Sequence, residues 1–147
     1  MNISNTSKED ALRWISKNRS KLIKISDEIW KFAEVGLQEY RSSSLLAREL
    51  ETSGFTVQRE LVGIPTAFVA SYGKGKPVIG ILGEYDALPG LSQKPIQRKE
   101  PIVSETPGHG CGHNIHGTSG IAGAIAAKEA IEANGIEGTV KFFGCPA

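Results

Sequence analysis

The 147-residue sequence lacks any hydrophobic run long enough to cross a bilayer. Its longest apolar stretches, around Val78 to Leu82 and Ile121 to Ala127, fall well short of the roughly 20 residues a spanning helix needs. The expectation is a soluble protein with no membrane partner. A charge excess is also missing. With 17 Lys plus Arg against 16 Asp plus Glu, no global field points to nucleic acid, an anionic surface or an acidic partner. The opening MNISNTSKEDALRW has no basic start followed by an apolar stretch, so a secretory signal is not expected and the cytoplasm is the expected location. Only two cysteines are present and one sits among histidines, which sets a metal or catalytic role against a disulfide. There is no internal repeat and no low-complexity segment, and the length suits one domain with a real core.

What is present reads as helices followed by sheet. From Ser7 to about Glu34 there is neither Pro nor Gly, and Leu12, Ile15, Leu22, Ile25, Ile29 and Phe32 recur among charged residues as in an amphipathic helix. Gly36 breaks that pattern. A second helix is expected from about Gln38 to Ser53, with Leu45, Leu46, Ala47 and Leu50 as its stripe and Gly54 as its stop. Phe55 to Val62 alternates, Thr66 to Tyr72 is rich in strand formers, and Pro77 to Leu82 is almost wholly apolar. Three strands are expected, the last of them central. A loop of about thirty residues, Gly83 to about His116, carries prolines at 89, 95, 101 and 107; loops of that length in compact domains are usually functional or disordered. Gly117 to about Ala133 returns to helix, and Thr139 to Phe143 reads as a buried strand. Helices, then strand and helix in alternation, give an α/β domain with a sheet at its centre.

The chemistry-bearing residues sit at the two ends of that loop. It begins GEYDALPG and closes PGHGCGHNIHGT, so Glu84, Asp86, all three histidines (His109, His113, His116) and Cys111 fall there. Clustered thiol and imidazole donors suggest a metal. Cys111 and His113 are separated by one residue, which in an extended segment puts both side chains on one side. Two donors are fewer than the three protein ligands plus open position of a catalytic zinc site, so others must come from elsewhere. Asp86, just after an apolar strand, could hold a metal-bound histidine or tune acid–base chemistry, and Glu84 lies two residues earlier. Each residue also has an ordinary reading. An acidic residue after a strand is commonly a solvated turn or helix cap, glycine-flanked histidines can be plain loop residues, and a lone cysteine can be a small buried hydrophobe.

Other chemistries are poorly served. GHGCGHNIHG puts histidines where a dinucleotide-binding turn needs small residues, and no Gly-x-Ser-x-Gly elbow exists; Ser119 reads as a helix residue. A metal-storage module would use the same Cys and His, but the closed four-ligand spacings of structural zinc sites are absent.

GEYDALPGLSQ, GHGCGHNIHGT and the closing TVKFFGCPA together resemble the zinc-type aminoacylase and carboxypeptidase superfamily, in its amidohydrolase branch; FAEVGLQEYRSS resembles that branch's segment near the start. Within the branch the sequence is similar to the aminobenzoyl-glutamate utilisation group. The resemblance covers nearly the whole chain. It implies that residues 1–147 form the N-terminal part of a three-layer α/β/α catalytic domain, two helices then a mixed sheet with a crossover helix. It implies Cys111 and His113 as metal ligands, Cys111 standing where most of the superfamily has a bridging aspartate, and Asp86 as the catalytic aspartate. Glu84 falls where other branches have a metal-binding histidine and counts as near the site. His109 and His116 match no ligand of the family and are expected to shape the loop, while Cys145 is expected to be packed rather than reactive. The implied activity is hydrolysis of an amide bond in N-acyl amino acids, aminobenzoyl-glutamate or dipeptide-like substrates with one or two divalent ions, zinc or manganese, in a dimeric enzyme. In that family two adjacent glutamates, a general base and a ligand, follow the Pro-Ala phrase, and the sequence ends at Ala147. The expectation for these residues alone is therefore little or no catalysis, with a non-catalytic folded piece needing a complementary chain as the alternative.

Overall fold

A computed structural model describes residues 5–147; residues 1–4, part of the polar opening stretch, lie outside the described residues. The first helix, α1, runs Asn5–Phe32, and α2 runs Tyr40–Thr52. Strands β1 (Thr56–Arg59), β2 (Phe68–Lys74) and β3 (Val78–Glu84) follow, then α3 (His113–Asn134) and β4 (Gly138–Cys145). No helix among the described residues is long and apolar enough to cross a membrane.

The ends of these elements have local causes. Gly54, at φ 91°, accepts the left-handed turn that closes α2. The alternating stretch beginning at Phe55 stops being a strand at Arg59, earlier than its pattern suggests, because Glu60 turns to φ 56° and a 3-10 turn over Leu61–Gly63 follows. At the start of α2 no residue caps the helix from its own N-cap position. Glu34 does so from a distance, accepting the main-chain N–H of Arg41 and Ser42 at 2.9 Å each and the Ser42 hydroxyl at 2.8 Å.

The four strands form one mixed sheet in the order β1-β2-β4-β3. β1 and β2 pair antiparallel, as do β2 and β4, whereas β3 and β4 pair in parallel through the crossover helix α3. That order corrects the placement of the Pro77 to Leu82 run. Among the described strands β3 is an edge, because β4 returns from the crossover between it and β2. One continuous core unites Ile25 and Ile29 of α1, Leu46, Ala47 and Leu50 of α2, and Ile121 and Ile125 of α3 with Phe68, Val140 and Phe142 of the sheet. α2 and α3 thus cover one face of the sheet, and α1 packs against them. The described residues supply two of the three expected layers.

Candidate metal centre

The carboxyl ends of the parallel strands β3 and β4 meet the N-terminus of α3, the position at which open α/β sheets hold their functional groups. Glu84 is the last residue of β3, Asp86 follows two residues on, and His113 opens α3. The loop between them folds back on itself. Leu88 and Gly108 exchange N–H···O=C bonds at 3.0 Å, and Gly108 passes so near Leu91 that a Cβ there would lie 2.1 Å from the Leu91 carbonyl oxygen. This brings the two ends of a thirty-residue excursion together.

His113 is hydrogen-bonded at Nδ1 and has a second carboxylate beside Nε2. Its Nδ1 lies 2.5 Å from Oδ1 of Asp86, a buried carboxylate, and its Nε2 lies 3.1 Å from Oε2 of Glu84. His116, one turn along α3, approaches Glu84 from the other side. Its Nδ1 is 3.2 Å from the Glu84 N–H and 3.4 Å from Glu84 Oε2. The main-chain N–H can only donate, so Nδ1 is the acceptor, and the carboxylate distance at that atom is proximity rather than a bond.

Cys111 is exposed, and its thiol is free. The segment around it is not extended. Gly112 sits at φ 82°, immediately before the helix begins, so Cys111 and His113 are not placed on one side by strand alternation as their spacing suggests. Among the described residues no group of three or more His, Cys, Asp and Glu converges so as to hold an ion. The donor types nevertheless suit a divalent metal in part: an imidazole oriented through one nitrogen by a buried carboxylate, an adjacent carboxylate at the other nitrogen, and a thiol on the preceding turn.

His109 is half-buried, away from the Glu84 side. Its Nε2 donates to the main-chain oxygen of Ile29 in the last turn of α1, at 3.0 Å, while its Nδ1 is buried without a partner. Burial pushes its pKa below the ordinary histidine value, against the pull of the Ile29 carbonyl and of Asp86. Cys145, at the end of β4, is partly buried, and burial raises its thiol pKa, which disfavours the thiolate. Ser119 is spent within α3, its hydroxyl donating to the His116 carbonyl at 3.0 Å.

Glu34 is a residue whose contribution to the site was not legible from the sequence beyond its place in the FAEVGLQEYRSS segment. Its carboxylate caps α2, and its main-chain oxygen accepts the N–H of Ala87 at 2.7 Å, the residue next to Asp86. Its one local signal is an acidic residue a few positions ahead of an uncapped helix start.

No family model matches the chain. It is 48% identical over 133 residues to a p-aminobenzoyl-glutamate hydrolase polypeptide of Escherichia coli (strain K12), covering 90% of this chain and 28% of that protein. It is 30% identical to the Xaa-Arg dipeptidase of Mus musculus, covering 95% of this chain and 32% of the dipeptidase. A crystal structure from Bacillus subtilis described as a dinuclear metal-binding peptidase of the M20 family superposes with a TM-score of 0.71 at 26% identity, over 90% of this chain and 36% of that one. The chain thus spans about a third or less of the length of the curated relatives it matches. By sequence the chain is a close homologue of the p-aminobenzoyl-glutamate hydrolase polypeptide over about a quarter of that protein's length, and by fold its structural neighbours are dinuclear metallopeptidases of the M20 family.

Proposed function

We propose that the chain carries part of the metal site of a catalytic domain that hydrolyses an amide bond in N-acyl amino acids, aminobenzoyl-glutamate or dipeptide-like substrates. The observation that carries this reading is His113 hydrogen-bonded at Nδ1 to the buried Asp86, with Glu84 beside its Nε2. With Nδ1 tied to a buried carboxylate, Nε2 becomes the nitrogen offered to an ion, and Cys111 supplies a second donor from the turn before α3. Zinc suits the thiolate and imidazole, manganese the carboxylate. The chemistry supplied by such an ion when bound is polarisation of the amide carbonyl and a lowered pKa for the attacking water.

The other contributions come from the chain itself. Asp86 keeps the Nδ1 proton of His113 and fixes the ring plane, raising the basicity of Nε2. Glu84 would stand beside Nε2 as a carboxylate at the rim of the site. His116 accepts the Glu84 N–H and holds the end of β3 in place. Small molecules rather than macromolecules are the partners in this reading; dimerisation and a cytoplasmic location follow from the family resemblance and the sequence alone.

Elemental analysis of the dialysed parent chain beside Cys111→Ala, His113→Ala and Asp86→Asn tests it. With this partial ligand set the expected result is weak but measurable divalent metal in the parent, its loss from the first two variants, and about 10–100-fold weaker retention in Asp86→Asn. A parent that holds no more metal than its variants would sink the reading.

A further inference from the structure

The structure assigns His109 a positioning role: its ring pins the segment leading into α3 onto the C-terminal turn of α1, and so sets where Cys111 and His113 stand relative to Asp86. The inference rests on the metal-centre reading for its purpose, but not for its geometry. Three observations carry it. First, the 3.0 Å bond from His109 Nε2 to Ile29 O joins residues 80 positions apart, and the receiving carbonyl also takes the Ala33 N–H at 3.1 Å. The histidine therefore uses the second lone pair of a last-turn carbonyl, at the end of a helix where the backbone favours a donor. Second, the main chain and the carboxylate of Asp86 both lie beside the ring. The same imidazole thus packs between the end of α1 and the residue that grips His113. Third, Nδ1 is buried, with the main chain of Asp86 beside the ring and no partner in good hydrogen-bond geometry, so the ring is not free to face water.

The surrounding bonds show what is being placed. The Gly112 N–H donates to the His109 carbonyl at 3.3 Å, and the N–H groups of Ile115 and His116 both donate to Gly112 O, at 2.9 and 3.1 Å. The chain from His109 to His116 is consequently one tightly bonded turn, and His109 is the residue in it with a side-chain bond to α1's last turn. Asn114 makes the neighbouring tie, its amide donating to the Ser26 hydroxyl at 3.0 Å, but it acts inside α3 and leaves Cys111 free. Glu34, whose carbonyl binds Ala87, fixes the opposite strand of the same junction. Both anchors thus come from the end of α1.

The test compares the full 147-residue parent with His109→Ala and His109→Gln. Glutamine places an amide N–H at the same bond count from the backbone as Nε2, so it preserves the bond to Ile29 while removing the ring. Amide hydrogen exchange over residues 107–116 is measured without metal, and cobalt(II) is titrated while following the thiolate-to-cobalt absorption band. His109→Ala is expected to exchange about tenfold faster over this segment alone, with the rest of the chain unchanged, and to bind cobalt at least about tenfold more weakly. His109→Gln should recover most of both. Unchanged exchange in His109→Ala overturns the inference, as does a loss that glutamine fails to restore. If His109→Ala shows the exchange effect while the parent binds no cobalt, the metal-centre reading is defeated and the positioning role stands.

Discussion

Both faces of the sheet carry large apolar residues, but two sets of these, one on each face, are buried very differently. On the helix-covered face Phe68, Ala70, Val140 and Phe142 are at most 5% exposed, whereas on the other face Val78, Leu82 and Phe143 are 53, 62 and 37% exposed. A strand that is apolar on both sides has the composition of one covered on both sides, and β3 has one side covered. Periodicity records what a strand is made to touch, and burial records what these residues themselves supply. The site lies where the two kinds of surface meet, because Glu84 ends the half-open strand and His113 begins the helix that covers it.

The largest effect expected from breaking this contrast comes from paired truncations. Phe142 is wholly buried and packs at a tilt against Phe68, with ring centroids 5.6 Å apart, so Phe142→Ala should cost about 3–5 kcal/mol. Leu82→Ala, on the open face, should stay within about 0.5 kcal/mol. Urea denaturation of both variants decides the matter, and equal costs would mean that the open face is covered in solution.

Adding a methyl group sharpens the same contrast on a smaller scale. A Cβ at Gly83 would lie 2.6 Å from Cζ of Phe142, whose ring is locked in the core, and 3.2 Å from Cα of Gly117 in α3. At Gly80 the nearest atom is Cε2 of Phe143, at 3.0 Å, on a half-exposed ring with room to turn away. Gly83→Ala should therefore lose about 1–3 kcal/mol, and Gly80→Ala clearly less. If Gly80→Ala proved the costlier of the two, the Phe143 ring would have to be fixed by something other than these residues.

The helices and the crossover were legible because their signals are local: an unbroken 3.6-residue period, glycine stops, and a small-residue face on α3 that lets it lie close to the sheet. Strand order was not legible. The sequence shows that Val78 to Leu82 is apolar, but not that β4 inserts between it and β2, which depends on pairing across a sixty-residue separation. In the site, the sequence brought Asp86, Glu84, Cys111 and the histidines to the ends of one loop, and the structure places Asp86 and Glu84 on opposite nitrogens of His113. The bends that bring this about, Gly112 at φ 82° and the Leu88–Gly108 bridge, have no periodic signature. The same holds for Glu34 and His109, whose partners lie 7 or 8 and 80 residues away.

The smallest effect concerns the rim of the covered face, which carries a polar clasp. Tyr72 of β2 donates to Glu132 of α3 at 2.5 Å, and Lys128, one turn earlier, donates to the other carboxylate oxygen at 2.8 Å. These two bonds, that from Lys128 first, hold the Glu132 pKa below its ordinary value of 4.5. A carboxyl whose pKa is depressed in the folded state adds stability above its unfolded value and loses that contribution as the pH falls through the depressed one. The parent should therefore melt about 1–3 °C above Glu132→Gln at pH 7, a small margin because the clasp is open to solvent, with the two curves converging as the pH falls through the depressed pKa. A gap that persists below that pKa would show that glutamine disturbs the packing of Tyr72 rather than the charge, and the clasp would then belong to the core it borders.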